Sequence, residues 1–149
     1  MKISYKGDYA LKALLELAIS YDEQNEAVLP IVALAKRLDI PQKFLEAILL
    51  NLKKGGFVKS KRGKEGGYTL ASHPAKVTVG DIVRFVEGPI EPIACCDDYY
   101  KGCRDLDTCT LRSVWKKTAE AISSVVDHIT LEQLVRETLT RRKAPDFCI

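Results

Sequence analysis

The sequence predicts a mainly α-helical protein with one small β-hairpin, and three observations support this. Apolar residues recur at intervals of three and four through most of the chain, as on one face of a helix. Residues 57–71 instead alternate around a glycine-rich turn, which is typical of a hairpin. The chain has 149 residues, of which 46% are hydrophobic and 29% charged, as in one globular unit. The element order predicts a winged helix-turn-helix followed by a long C-terminal helix.

The helices follow from apolar stripes and from local start and stop signals. The first is predicted to begin at Gly7-Asp8, where Asp8 can accept hydrogen bonds from free backbone amides. A turn at Asp39-Ile40-Pro41 separates the second helix from the third, because the residue before a proline avoids helical geometry. Thr130 is predicted to cap the last helix. The predicted helices cover residues 8–21, 30–38, 41–54, 78–86, 110–127 and 131–142.

The third helix has two distinct faces and ends at Gly55-Gly56. Its buried face is predicted to carry Phe44, Leu45, Ile48, Leu49 and Leu52. Its exposed face carries Gln42, Lys43, Glu46 and Lys53. The predicted hairpin follows, with strands at 57–61 and 68–71.

Charge is concentrated in one short segment. The net charge is only +3, yet residues 53–64 carry six basic side chains and no acid: Lys53, Lys54, Lys59, Lys61, Arg62 and Lys64. A helix fits the major groove of DNA, and a basic hairpin beside it can contact phosphates or the minor groove. The pattern therefore predicts double-stranded DNA as a partner. The alternative is a small α+β domain whose basic hairpin is merely solvated.

Four of the five cysteines form a second group: Cys95, Cys96, Cys103 and Cys109. They lie in the acidic connection 88–109, and a connection of this length without regular structure is uncommon unless it is functional. Thiolates are soft ligands for iron–sulfur clusters and zinc, but the C-x(2–4)-C pairs of structural zinc sites are missing. The spacing thus favours a cluster on a loop, and the alternative is unpaired or incidental thiols.

Three units are predicted: a DNA-binding domain at 1–87, a cysteine-bearing cluster loop at 88–109, and a dimerisation helix with a C-terminal helix and tail at 110–149. No apolar run reaches the length of a membrane span, and the N-terminus has no signal-peptide pattern. We therefore expect a cytoplasmic protein without a membrane partner. No nucleophile elbow, acid–base pair or hydrolase motif is present, so we expect neither an enzyme nor a small-molecule substrate.

Several segments together resemble the IscR/NsrR/CymR-type bacterial winged-helix transcription regulators, the Rrf-type family. The resemblance spans roughly residues 1–135. It rests on the opening MKISYKGDYALKALLELA, the segment IPQKFLE at 40–46, and the wing segments GFVKS and RGKEGGY. Glu87-Gly88-Pro89, the cysteines, Trp115 and Ile129-Thr130-Leu131 also fall in the family's order.

The resemblance implies a homodimer, with the helix at 110–127 in its interface, that binds an imperfect palindrome in promoters. Gln42, Lys43 and Glu46 are similar to the family's base-reading positions, and Arg62 is similar to the wing residue that enters the minor groove. Lys59, Lys61 and Lys64 are the expected phosphate contacts on charge alone.

The resemblance further implies an iron–sulfur cluster that senses iron, redox state or nitric oxide, and we expect [2Fe–2S] rather than [4Fe–4S]. Cys103 and Cys109 fall on two ligand positions of the family, and either Cys95 or Cys96 falls on the other. Where the iron–sulfur biogenesis regulator has a histidine ligand, this chain has Arg112, which is not a normal metal ligand. The fourth ligand is then the other member of the Cys95/Cys96 pair or Asp8 of the partner subunit.

Two other functions remain open from the sequence. Some family members have no cluster and respond through a cysteine thiol or a partner protein. A small metal or redox carrier would explain the cysteines but leaves the basic hairpin without a role.

Overall fold

The computed structural model describes residues 2–24 and 28–143 and shows a winged helix-turn-helix. Six α-helices, two short 3-10 helices and one antiparallel hairpin account for the regular structure of these residues. The helices are α1 (Tyr5–Ile19), α2 (Ile31–Leu38), α3 (Gln42–Lys54), α4 (Val79–Glu87), α5 (Thr110–Val126) and α6 (Leu131–Lys143). The strands are β1 (Val58–Lys61) and β2 (Gly67–Leu70). The predicted fold class is confirmed, and the helix boundaries differ from prediction by three residues at most. The predicted tail beyond residue 143 lies outside the described residues.

The core forms around α1, which contacts α2, α3, α4, α6 and β2. Ala10 and Ala13 have no exposed surface, and their small side chains let neighbouring helices approach α1 closely. The largest fully buried side chains are Leu14, Leu17, Leu34, Leu45, Leu49, Leu52, Ile82 and Leu131. Burial of these side chains supplies the main stabilisation, at about 1.5–3 kcal/mol for each.

The predicted turn between α2 and α3 is present. Asp39 adopts a left-handed conformation (φ 53°), which aspartate tolerates better than most side chains. The Ile40 amide donates to the Ala35 carbonyl at 3.1 Å, and the buried Ile40 side chain anchors the turn in the core. Pro41 directly precedes α3. This short connection therefore restricts the orientation of α3 relative to α2.

The hairpin pairs Val58 with Leu70 and Lys61 with Gly67, and it is tied to the helices at its base. Tyr68 exchanges two backbone hydrogen bonds with Leu29, of 2.8 and 3.0 Å, just before α2 begins. This pairing holds the hairpin, hereafter the wing, beside the helix-turn-helix.

The start of α1 differs from the prediction. Ser4, not Asp8, caps the helix, because the Ser4 hydroxyl accepts from the Gly7 amide at 3.1 Å. The backbone amide and hydroxyl of Ser4 also donate to one carboxylate oxygen of Glu87, at 3.0 and 2.6 Å. The Glu87 carboxylate occupies the space that a side chain at position 7 would fill, so this approach requires Gly7. Asp8 lies one turn inside the helix instead.

A second difference concerns α3, where Phe44 was predicted to be buried. Phe44 is 43% exposed and packs edge-to-face on Tyr9, with 5.7 Å between ring centroids. The buried face of α3 is narrower than predicted and consists of Leu45, Ile48, Leu49 and Leu52, while Phe44 lies beside it against the Tyr9 ring.

The C-terminal helices are attached to the core in different ways. Thr130 caps α6 as predicted, and its side-chain oxygen accepts from the Gln133 amide at 3.2 Å. Leu131 is completely buried, so α6 packs back onto α1. In contrast, α5 has no buried residue and is joined to α4 by Arg84, which donates to both carboxylate oxygens of Asp127 at 2.5 and 2.9 Å. None of the helices in the described ranges is both long and apolar enough to span a membrane.

Candidate nucleic-acid interface and cysteine loop

The predicted base-reading side chains lie together on the first two turns of α3. Gln42, Lys43 and Glu46 are all exposed, because the opposite side of the helix is occupied by core leucines. They include donors and acceptors of the kind that pair with base edges in the major groove. The structure therefore leaves these three side chains available for a ligand.

The predicted phosphate-binding side chains lie on the wing. Lys59 and Lys61 of β1, and Arg62 and Lys64 of the following turn, are all exposed. Gly63 (φ 112°) permits the turn, which closes with a hydrogen bond from the Gly66 amide to the Gly63 carbonyl at 3.0 Å. The wing thus projects a cluster of four cations.

A side-chain hydrogen bond links α3 to the wing. Lys53 Nζ donates to the Ser60 hydroxyl at 2.6 Å. Lys53 was predicted to lie on the exposed face of α3 and in the basic segment 53–64, and its contact with β1 depends on tertiary structure. This hydrogen bond joins α3 to the wing.

Between α2, α3 and the wing lies a cleft, hereafter the wing cleft. Its lining includes the cations Lys53, Lys61 and Arg62. Two aliphatic side chains, Val32 and Leu50, also line it and are 63% and 49% exposed. The sequence reasoning missed both, although Leu50 lies one helical turn beyond Glu46 and so on the same face of α3.

The cysteines are distributed along the connection between α4 and α5. Cys95 and Cys96 are half-buried in a short 3-10 turn (Ala94–Cys96), Cys103 is exposed, and Cys109 precedes α5 directly. Their thiols suit an iron–sulfur cluster chemically. In the described ranges, however, no group of three His, Cys, Asp or Glu side chains is arranged to hold a metal ion.

Two cations of α5 hold the first cysteine pair against that helix. Arg112 Nε donates to the Cys95 carbonyl at 2.8 Å, and the Arg112 guanidinium lies 3.6 Å from the Asp98 carboxylate. Lys116 also donates to the Asp98 carboxylate. We call these four groups the loop latch. The hydrogen bond from Lys116, and then its charge, lower the pKa of Asp98.

Asp8 faces solvent in part and pairs with Lys12 at 2.7 Å, one turn further along α1. The hydrogen bond to Asp8 raises the pKa of Lys12. Asp8 is therefore an exposed carboxylate with a local partner.

An apolar face remains exposed along α5. It includes Leu111 (59% exposed), Val114 (50% exposed), Trp115 and Val125. An isolated soluble chain does not usually leave this much contiguous apolar surface uncovered.

The fold and the cationic surface define a winged-helix protein of the DNA-binding class. A model of the Rrf2 family, described as "Iron-dependent Transcriptional regulator", matches residues 3–137. The chain belongs to the Rrf2 family of transcriptional regulators.

Three relatives illustrate the relationship. An rrf2-like HTH-type transcriptional regulator of Rhodobacter capsulatus is 39% identical, over 89% of this chain and 91% of that protein. CymR of Bacillus subtilis is 36% identical over the full length of both chains. Its structure, described as that of a global cysteine regulator, is similar with a TM-score of 0.76, over 92% of this chain and 98% of that chain. T. potens IscR is 33% identical with a TM-score of 0.77, over 97% of this chain and 93% of that chain.

The loop latch leads to a testable expectation about the cysteine loop. In Asp98→Asn, Arg112 and Lys116 lose their carboxylate partner, so we expect faster backbone hydrogen exchange at Cys96 and Asp97. Asp107→Asn, which changes the charge of the same loop outside the latch, is the control. Equal exchange in both variants would show that the latch does not order the loop.

Acidification of the wild-type protein is also expected to weaken the loop latch and to reduce the protection of the Cys96 and Asp97 amides. The pKa of Asp98 is lowered in the folded state, so its carboxylate is ionised and the latch is complete at and above the ordinary aspartate pKa of about 4. Its stabilisation is lost as the pH falls through the lowered pKa, and Asp98→Asn removes this pH dependence.

Proposed function

We propose that the protein is a cytoplasmic, homodimeric regulator whose affinity for a pseudo-palindromic promoter site is controlled by an iron–sulfur cluster. The observation that carries the DNA-binding part is the junction of α3 and the wing through Lys53 and Ser60. This junction joins the side chains suited to base edges and those suited to phosphates into one surface.

In this proposal, Gln42, Lys43 and Glu46 contact base edges in the major groove. Lys59, Lys61 and Lys64 neutralise phosphates, and Arg62 enters the adjacent minor groove. The exposure of all seven side chains supports these roles.

The exposed face of α5 supports a dimer. We propose that Leu111, Val114 and Val125 pack against the same face of a second copy. A two-fold axis along this contact would present two copies of α3 to two half-sites of a palindrome. These roles support the proposed division of the chain into units at 1–87, 88–109 and 110–149. The division is functional rather than spatial for α6, because this helix packs on the core of the first unit.

The cysteines are proposed to hold the cluster through Cys103, Cys109 and either Cys95 or Cys96. A bound cluster supplies redox and iron-responsive chemistry, and loss or change of its ligation would alter the order of the loop. The fourth ligand is proposed to be the second cysteine of the 95/96 pair or Asp8 of the partner subunit.

A change in loop order has a physical route to the DNA-binding surface. The loop begins directly after Glu87, and the Glu87 carboxylate holds the N-terminus of α1 through Ser4. Since α1 packs on α3, displacement of Glu87 would change the position of α1 and therefore the position of α3, the proposed recognition helix.

A second candidate is a regulator without a cluster that responds through its thiols or a partner protein. The chemistry of Arg112 favours it, because this residue stands where the resemblance leads one to expect a histidine ligand and its guanidinium is not a normal metal ligand. The full-length similarity to CymR, described as a global cysteine regulator, also favours it.

The DNA-binding part is tested with Arg62→Ala in a titration against the protein's own upstream DNA. Loss of a specific groove contact should weaken binding by about 1–3 kcal/mol. Arg136→Ala on α6 is the control. Wild-type affinity should also fall steeply with salt, since several lysines release counterions from phosphates. Salt-independent binding with no loss in the Arg62 variant would contradict the proposal.

The dimer is tested by placing a charge in its proposed interface. Val114→Glu should convert the protein to a monomer in sedimentation at micromolar concentration, because a carboxylate is costly to bury without a partner. Leu139→Glu changes an exposed leucine of α6 and should leave the dimer intact. A monomeric wild type would refute the dimer.

The cluster is tested by iron and sulfide content after anaerobic purification. Cys103→Ala and Cys109→Ala should each lose the cluster, since each removes a thiolate ligand. Asp8→Ala distinguishes the two proposed fourth ligands, because it should lose the cluster only if Asp8 of the partner subunit binds it. A full cluster in both cysteine variants would refute the proposed ligands, and a wild type with only zinc or with no metal would favour the second candidate.

A further inference from the structure

Two aliphatic side chains are exposed where the rest of the surface suits a polyanion. Val32 and Leu50 line the wing cleft together with Lys53, Lys61 and Arg62. Among the described residues that line the cleft, none carries a carboxylate. A valine that is 63% exposed and a leucine that is 49% exposed thus lie in a cleft whose charged lining residues, among those described, are all cations.

Val32 and Leu50 are exposed although neighbouring residues of the same helices are buried in the core. Leu49 and Leu52 of the same helix are completely buried, so the position of Leu50 reflects the face of α3 on which it lies. That face is the one that carries Glu46, four residues earlier. Val32 likewise lies outside the buried face of α2, which carries Leu34 and Ala35.

The positive charge of the wing cleft indicates which kind of ligand can bind over Val32 and Leu50. Lys53, Lys61 and Arg62 would oppose a cationic partner and favour a polyanion. On double-stranded DNA, the 5-methyl group of thymine is the apolar group that the base edges present in the major groove. Apolar side chains in a cationic cleft therefore match a thymine methyl beside a phosphodiester backbone.

We propose that Val32 and Leu50 determine sequence specificity by contacting thymine 5-methyl groups, so that each half-site carries thymine at the positions they meet. The inference rests on the proposed DNA-binding function and adds two residues to the base-reading surface. These residues discriminate by apolar burial, whereas Gln42, Lys43 and Glu46 would discriminate by hydrogen bonds. Burying one methyl group corresponds to about a fourfold change in affinity.

The experiment removes only the methyl group. Duplexes that the wild-type protein enriches from a random library are resynthesised with each thymine replaced in turn by deoxyuridine, which keeps every hydrogen-bonding group. We expect affinity to fall about fourfold at one or two positions in each half-site and to stay unchanged at the other thymines.

The variants Val32→Ala and Leu50→Ala identify the side chain at each sensitive position. In the variant that lacks the contacting side chain, deoxyuridine should cause no further loss at that position, as in a double-mutant cycle. Leu139→Ala is the matched control and should retain the full sensitivity. Leu50→Gln keeps most of the side-chain volume and should lose the methyl preference.

The possible failures are distinguishable. Enrichment of no sequence would overturn the proposed function together with this inference. Sequence-specific binding that is insensitive to every deoxyuridine would overturn the inference alone. Sensitivity that persists unchanged in Val32→Ala, Leu50→Ala and Leu50→Gln would likewise overturn it, because another group would then read the methyl.

Discussion

The burial of α1 is the constraint on which the other parts of this structure depend. Its alanines allow close packing, and α2, α3, α4, α6 and β2 all contact it. The recognition helix takes its position from this packing. The end of α4, where the cysteine loop begins, is tied to the start of α1 by Glu87 and Ser4. The proposed DNA-binding surface and the cysteine loop are therefore both connected to α1.

The wing illustrates how a two-stranded hairpin obtains a defined position. An isolated hairpin of four-residue strands is marginally stable at best. Here Tyr68 pairs with Leu29 at the base, and Lys53 bonds Ser60 from α3. These contacts orient the cations of the wing relative to α3, and they also create the cleft that exposes Val32 and Leu50.

The cysteine connection contains two competing tendencies. Its thiols are suited to soft metal ions, while Arg112 and Lys116 of α5 bind its backbone and Asp98. The position at which the family resemblance leads one to expect a histidine ligand is occupied by Arg112, which donates to the Cys95 carbonyl instead. In both proposed functions, the order of this loop is the property that the signal would change.

The sequence by itself determined the order of the helices, the turn at Asp39-Ile40-Pro41, the basic wing and the cap at Thr130. These features depend on residues close together in the chain, so periodicity and turn chemistry reveal them. Only the tertiary structure decided that Glu87, 83 residues away, binds the residue that caps α1, Ser4. It also decided that Phe44 remains exposed and that Arg112 binds Cys95. In each case the partner is distant in sequence, and a helical pattern specifies a face without specifying what that face contacts.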